Sequence, residues 1–195
     1  DSIPVHEAII AAVMRDGIDI KTGEGFRILL DVMEKVFIPV ELHTRGVKRI
    51  EILKILDNAG ISVEICGSNW PDGMFKNHRV SPPMDFKSVL RKMSESKIVL
   101  NAFMIPGSHE RLLSGALAGA HVVGDYSPWP FENFIEGREM SFYRWTKRNM
   151  IPEMLRGILS APEKAEAVAK AGQLNAGNNH TWKNRARTLA GRFGL

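Results

Sequence analysis

The stretch from Lys97 to Asp125 constrains this chain more than any other. Lys97-Ile-Val-Leu-Asn-Ala-Phe103 is apolar enough for a strand covered on both faces. Met104-Ile-Pro-Gly-Ser-His-Glu-Arg111 follows as a loop. Leu112-Leu-Ser-Gly-Ala-Leu-Ala-Gly119 then carries small residues at helical spacing, and a second apolar strand is expected over 121–124. Strand, loop, helix and strand in that order predict a βαβ unit with parallel strands. Such a unit sets the loop and the helix N-terminus at the carboxyl edge of the sheet. Backbone N–H groups and the helix dipole there favour phosphorylated ligands.

The rest of the chain repeats the alternation. Strands are expected at 38–43, 61–66, 75–80 and 140–143, with a helix from Thr44-Arg-Gly-Val onward that Ala59-Gly60 ends. Pro39 confines the first of these strands to an edge or a strand end. Asp85 is placed to cap a helix running to about 94. Tyr126-Ser-Pro-Trp-Pro-Phe131 reads as an aromatic loop, and helices are expected over 148–159, 162–172 and 180–192. Residues 3–13 and 25–36 have helical periodicity and form a lead-in outside the sheet. The predicted fold class is therefore α/β, three layers around a mostly parallel sheet. The expected division is a helical lead-in or linker over 1–37, a ligand-binding domain over 38–160, and C-terminal helices over 161–195 that pack on it.

Composition excludes several classes. The net charge of +4 on 195 residues is that of a solvated surface and does not mark a nucleic-acid binder. Lys183, Arg185, Arg187 and Arg192 share a helix with Trp182, Ala186 and Leu189, whose face reads as packing. No apolar run is long enough to cross a bilayer and no signal peptide is present, so the expected location is cytoplasmic. The single cysteine, Cys66, closes an apolar strand and is expected in the core. The six histidines lack metal-ligand spacing, so no metal site is expected. The chain has no G-x-G-x-x-G, no P-loop and no G-x-S-x-G elbow.

Two segments carry candidate chemistry. Gly107, Ser108, His109, Glu110 and Arg111 bring a flexible backbone, a hydroxyl, an imidazole, a carboxylate and a guanidinium to one strand-to-helix turn. That set suits a diphosphate joined to a sugar. Ser108 is also placed to cap the helix, and Glu110 to favour its dipole. Ser114, one turn after Glu110, shares its face and is within reach of a ribose hydroxyl. The second segment, at the end of the expected strand 38–43, holds His43, Arg45, Lys48 and Arg49. Two or three cations there would neutralise a pyrophosphate.

From Lys97 onward the chain resembles the C-terminal, donor-binding domain of GT-B fold glycosyltransferases, and within them the group 1, spore-maturation (CgeB-like) branch. The resemblance rests on Gly107-Ser-His-Glu-Arg111, Ala116-Leu-Ala-Gly119, Val122-Val-Gly-Asp125, Phe134-Ile-Glu-Gly-Arg-Glu139, Ala169-Lys-Ala-Gly172 and His180-Thr-Trp-Lys-Asn-Arg185, in that order. It implies a Rossmann-like domain that binds a nucleotide diphosphate-sugar. It also implies sugar transfer without a metal or other cofactor, to an acceptor the sequence does not identify. Arg45 and Arg49 would then stabilise the leaving diphosphate, and Gly107 to Arg111 with Ser114 would hold the donor. Many relatives carry Glu where Ser114 stands, and a Ser makes fewer bonds to a ribose. A GT-B enzyme has two such domains, so the expected partner is an N-terminal acceptor domain or a second copy of this chain. The catalytic base of an inverting enzyme would lie on that other half, and none is assigned here. The rival reading is a non-catalytic nucleotide-binding or assembly module that keeps the fold.

Overall fold

The computed structural model describes residues 3–102, 107 and 109–194, and they divide into two compact units, one ending at Glu51 and one starting at Ile52. Helix α1 (Val5–Arg15) packs on the start of helix α2 (Gly23–Asn58) in the first unit. Ile9, Val13 and Leu29 form its small buried core, with Ile10, Met33 and Phe37 against them.

Helix α2 corrects the expectation for 38–43, which is helical and not a strand. Ion pairs four residues apart, Asp31–Lys35 and Glu41–Arg45, run along the helix at 2.7 Å each. Extending a helix costs little once it is nucleated, whereas breaking it for six residues would cost two new ends. Pro39 removes one N–H donor from a helix held on both sides of it. The βαβ unit expected over 38–66 is therefore absent, and α2 leads directly to the first strand.

In the second unit, β1 (Glu64–Cys66) pairs in parallel with β2 (Arg79–Ser81). A separate three-stranded parallel sheet has the order β3 (Ile98–Asn101), β4 (His121–Asp125), β5 (Ser141–Tyr143). Successive strand residues point to opposite faces, and the core follows that rule. Val122 and Phe142 face Leu112 and Ala116 of α4 (Glu110–Leu117) and Ala176 of α7 (Pro162–Asn179). Val123 and Tyr143 face Ile52 and Leu56 of α2 and Ile151 and Leu155 of α6 (Ile151–Ser160). The result is the expected α/β layering, with helices over both faces of a parallel sheet.

Small residues bring α4 close to the sheet. A Cβ on Gly115 would stand 3.0 Å from Val99 Cγ1 and 3.2 Å from Val122 Cγ2. Asp85 caps α3 (Phe86–Ser94) as expected, accepting from the Ser88 N–H at 3.0 Å. Asp57 ties the end of α2 to the approach to β2, accepting from the Lys76 and Asn77 N–H groups at 3.0 and 2.7 Å. Those bonds, Lys76 first, hold its carboxyl below the usual value although burial opposes them. Cys66 is exposed, which corrects the expected core thiol. Ile65 alone of β1 is buried, and Cys66 shares the outward face of Glu64. The segment after β4 is not a loop throughout: it forms a short helix α5 (Pro128–Asn133). Helix α8 (Trp182–Phe193) starts at a capping box between Thr181 and Asn184. No helix among the described residues is long and apolar enough to cross a membrane.

Candidate functional site

Because β3, β4 and β5 are parallel, their last residues share one edge. Those residues are Asn101, Asp125 and Tyr143, all buried. The Asn101 amide donates to Asp125 Oδ1 at 3.4 Å, and the Tyr143 hydroxyl donates to the Asn101 carbonyl at 3.2 Å. Burial, and secondarily the Asp125 charge, push the Tyr143 phenol well above its ordinary value, so it stays a donor. The Asn101 side-chain oxygen is buried and has no hydrogen-bond partner among the described residues. An unmet acceptor in a buried position is costly, and Asn101 is the last residue of β3, at the edge where ligands of such sheets bind. Beyond it, the Arg144 guanidinium lies 3.9 Å from the Tyr126 ring centre.

The turn from β3 to α4 belongs to the same edge. Gly107 has φ of 122°, a conformation that L side chains rarely adopt. A Cβ there would meet nothing within 4 Å, so the backbone and not crowding demands the glycine. His109 is the N-cap of α4, and its Nδ1 accepts from the Arg111 N–H at 3.2 Å. This bond fixes the proton on Nε2 in the neutral ring. Ser108, expected as a capping residue, lies outside the described residues. Glu110 is exposed in the first turn. Arg111 is half-buried, and burial draws its guanidinium below the ordinary value while Glu110 pulls the other way. It remains a cation at neutral pH. Ser114 is half-buried one turn further along.

Arg45 and Arg49 belong to the first unit and lie within α2, not at a strand end as expected. They are four residues apart and so share a helix face. Arg45 Nη2 is 2.7 Å from Glu41 Oε1, and both side chains are largely withdrawn from solvent. Among the described residues no group of three His, Cys, Asp or Glu side chains is arranged to hold a metal. Two cavities stand apart from this edge. A groove of about 740 Å³ runs between the 131–139 segment and α7, and a smaller one lies among α6, α7 and the start of β4. Neither includes Asn101, Asp125, Tyr143 or a residue of the 107–114 segment.

Residues 48–191 match a family model described as glycosyl transferase-like. The chain belongs to this family. No curated protein is matched by the sequence. Among solved structures, the fold matches sucrose-phosphate synthase (tll1590) from Thermosynechococcus elongatus at a TM-score of 0.63 and 14% identity, over 75% of this chain and 41% of that one. It matches Anabaena Alr3699/HepE in complex with UDP-glucose at 0.60 and 14% identity, over 74% of this chain and 45% of that one. It matches the same Anabaena protein in complex with UDP at 0.55 and 12% identity, over 60% of this chain and 32% of that one. The fold is that of GT-B glycosyltransferases. The chain spans less than half the length of the structures it matches.

Sequence reasoning missed Asn101 and Tyr143. A signal for Asn101 was present: it is the one polar residue within the apolar run 98–103. Tyr143 carried no such mark, being one more aromatic residue at the end of a short strand.

Proposed function

We propose that this glycosyltransferase-like chain is the donor half of an enzyme that moves a sugar from a nucleotide diphosphate-sugar to an acceptor. The observation that carries the reading is the placement of the α4 N-terminus and the Asn101–Asp125–Tyr143 group on one carboxyl edge. Gly107, Ser108, His109, Glu110, Arg111 and Ser114 are the proposed donor contacts; Arg45 and Arg49, expected from the sequence to join them, lie within α2 in the other unit and are left out of the proposed site. In the reaction the bond between the sugar's anomeric carbon and the phosphate oxygen breaks. The acceptor oxygen bonds to that carbon, and its proton is released. Negative charge grows on the departing diphosphate, where backbone N–H groups and Arg111 stabilise it without a metal. A second domain or a second copy holds the acceptor and, if the enzyme is an inverting one, the residue that takes its proton. We place the chain in the spore-maturation-like branch on the sequence blocks quoted above.

Calorimetric titration with UDP, GDP, ADP, TDP and their sugars tests the reading. UDP and UDP-glucose come first, since the Anabaena neighbour was solved with both. Saturable binding of one nucleotide, weakened by Arg111→Ala in a protein that keeps its fold, is expected. No binding of any of them at about millimolar concentration, a threshold near 4 kcal/mol of affinity, refutes it. The second reading, a binding module without transfer, is favoured by Ser114 standing where relatives carry Glu. It predicts nucleotide binding with no turnover when the chain is joined to its other half.

A further inference from the structure

The basic excess of the chain is not spread over its surface. Helix α8 carries Lys183, Arg185, Arg187 and Arg192 and has no Asp or Glu. Without those four the chain would hold as many acidic as basic side chains, since the net charge is +4. The same helix carries Trp182, Ala186, Leu189 and Phe193, whose spacing sets them in one stripe. From the sequence this face is expected to pack. The structure corrects that: Trp182 is 84% exposed, Phe193 76% and Leu189 55%, and no residue of α8 is buried.

The helix is nonetheless well defined. The Thr181–Asn184 capping box starts it, and Gly194 ends it in the left-handed conformation. The Asn184 amide donates to the Asn178 carbonyl of α7 at 2.6 Å. By helical spacing Asn184 lies opposite the stripe, so this tie to the domain leaves the stripe outward. Cations border it on both sides. Arg185 and Arg192 follow Trp182 and Leu189 by three residues and lie along one border. Lys183 and Arg187 follow Trp182 and Ala186 by one and lie along the other. The Arg185 guanidinium is 5.7 Å from the Trp182 ring centre.

Charge decides what covers such a stripe. A second α8 laid against it would set four cations against four. An anionic lipid surface satisfies both parts of the pattern. Its head groups attract the Lys and Arg side chains, and Trp, Leu and Phe enter at the boundary of head groups and acyl chains. With 12 residues the helix is about 18 Å long, short of a hydrocarbon core of roughly 30 Å, so it lies along the surface.

We propose that α8 docks the protein on a membrane surface that carries anionic lipid. Trp182, Leu189 and Phe193 enter the interface, and Lys183, Arg185, Arg187 and Arg192 stay among the head groups. The proposal does not rest on the donor reading.

Flotation of the full chain tests it, with vesicles of phosphatidylcholine alone and of phosphatidylcholine and phosphatidylglycerol in equal parts. Binding to the anionic vesicles only, weakened by added salt, is expected. Trp182→Ser with Phe193→Ser should weaken binding by about tenfold or more, as should Lys183→Gln with Arg187→Gln. All four side chains are exposed, so Tm should hold in both variants. If the first variant fails to fold, Phe193→Ser alone, in the last turn, decides. No flotation with anionic vesicles overturns the proposal. So does unchanged binding in the Ser variant, which would leave adhesion by charge alone. A dimer that the Ser substitutions convert to monomer, with no flotation, would make the stripe a contact between copies instead. Salt-sensitive binding of single-stranded RNA, again with no flotation, would make α8 a nucleic-acid surface and overturn the proposal equally.

Discussion

His109 has two separable jobs, and one pair of substitutions tells them apart. Its Nδ1 caps α4 through the Arg111 N–H at 3.2 Å. Its Nε2–H is proposed to meet the donor. Removing a capping side chain costs about 1 kcal/mol, which for a chain of this size lowers Tm by roughly 2–4 °C. His109→Ala loses both roles. His109→Asn keeps a side-chain oxygen that caps as well as any residue, but it does not extend as far as the imidazole Nε2. A lost hydrogen bond to a charged phosphate costs about 1.5–3 kcal/mol, or roughly a 10- to 100-fold rise in Kd. The expected pattern is therefore a lower Tm for Ala only, with UDP affinity reduced in both. Differential scanning fluorimetry and calorimetry read the two quantities on the same samples. An unchanged Tm in His109→Ala refutes the cap. Wild-type affinity in His109→Asn refutes the ligand contact and leaves His109 as a structural residue.

Three further outcomes are expected. Gly172→Ala would place a Cβ 2.2 Å from the Glu139 carbonyl oxygen, backbone against backbone; the forced shift should cost about 1–3 kcal/mol, seen as a fall in Tm. Cys66 is exposed, so an aromatic disulfide reagent should label it in the native protein, and Cys66→Ser should move stability by less than about 0.5 kcal/mol. Burial holds both His121 and His180 below the ordinary imidazole value of 6.5. The unfolded chain then binds protons near that pH that the native chain refuses, so stability falls as pH drops through 6.5 toward the lower native values. A Tm that stays level between pH 7 and pH 5 would contradict this. Asp57 and Asp85 lie below 3.8 and act in a lower, distinct window.

The parts of the fold that the sequence made legible are those with local causes. The β3–α4–β4 unit announces itself through an apolar run, a glycine turn and a stripe of small residues, and Asp85 announces a cap. The segment 38–43 misled because a six-residue pattern says nothing of the 36-residue helix that contains it. Cys66 misled because it follows Ile61, Val63 and Ile65 in the sequence but falls out of phase with their alternation. The cap was assigned to a serine, the commoner choice, while the structure shows the cap bond made by His109. Tyr143 could not be found at all, since its bond to Asn101 spans 42 residues and exists only once three strands are aligned.

The carboxyl edge itself sorts its groups by sign, and that sorting says which part of a donor goes where. The Arg111 guanidinium is a donor and suits phosphate oxygens. The unmet Asn101 oxygen and the Asp125 carboxylate are acceptors, which repel phosphate and suit sugar hydroxyls. A donor lying along this edge would therefore set its diphosphate on α4 and its sugar over β3 and β4. Asn101→Leu tests the division. The change gives up one long bond at 3.4 Å and also removes one buried unmet acceptor. These effects oppose each other, so stability should move by less than about 1 kcal/mol. Affinity for the nucleotide-sugar should fall about tenfold, while affinity for the nucleoside diphosphate alone holds. An unchanged ratio of the two affinities would show that the acceptors at this edge do not read the sugar.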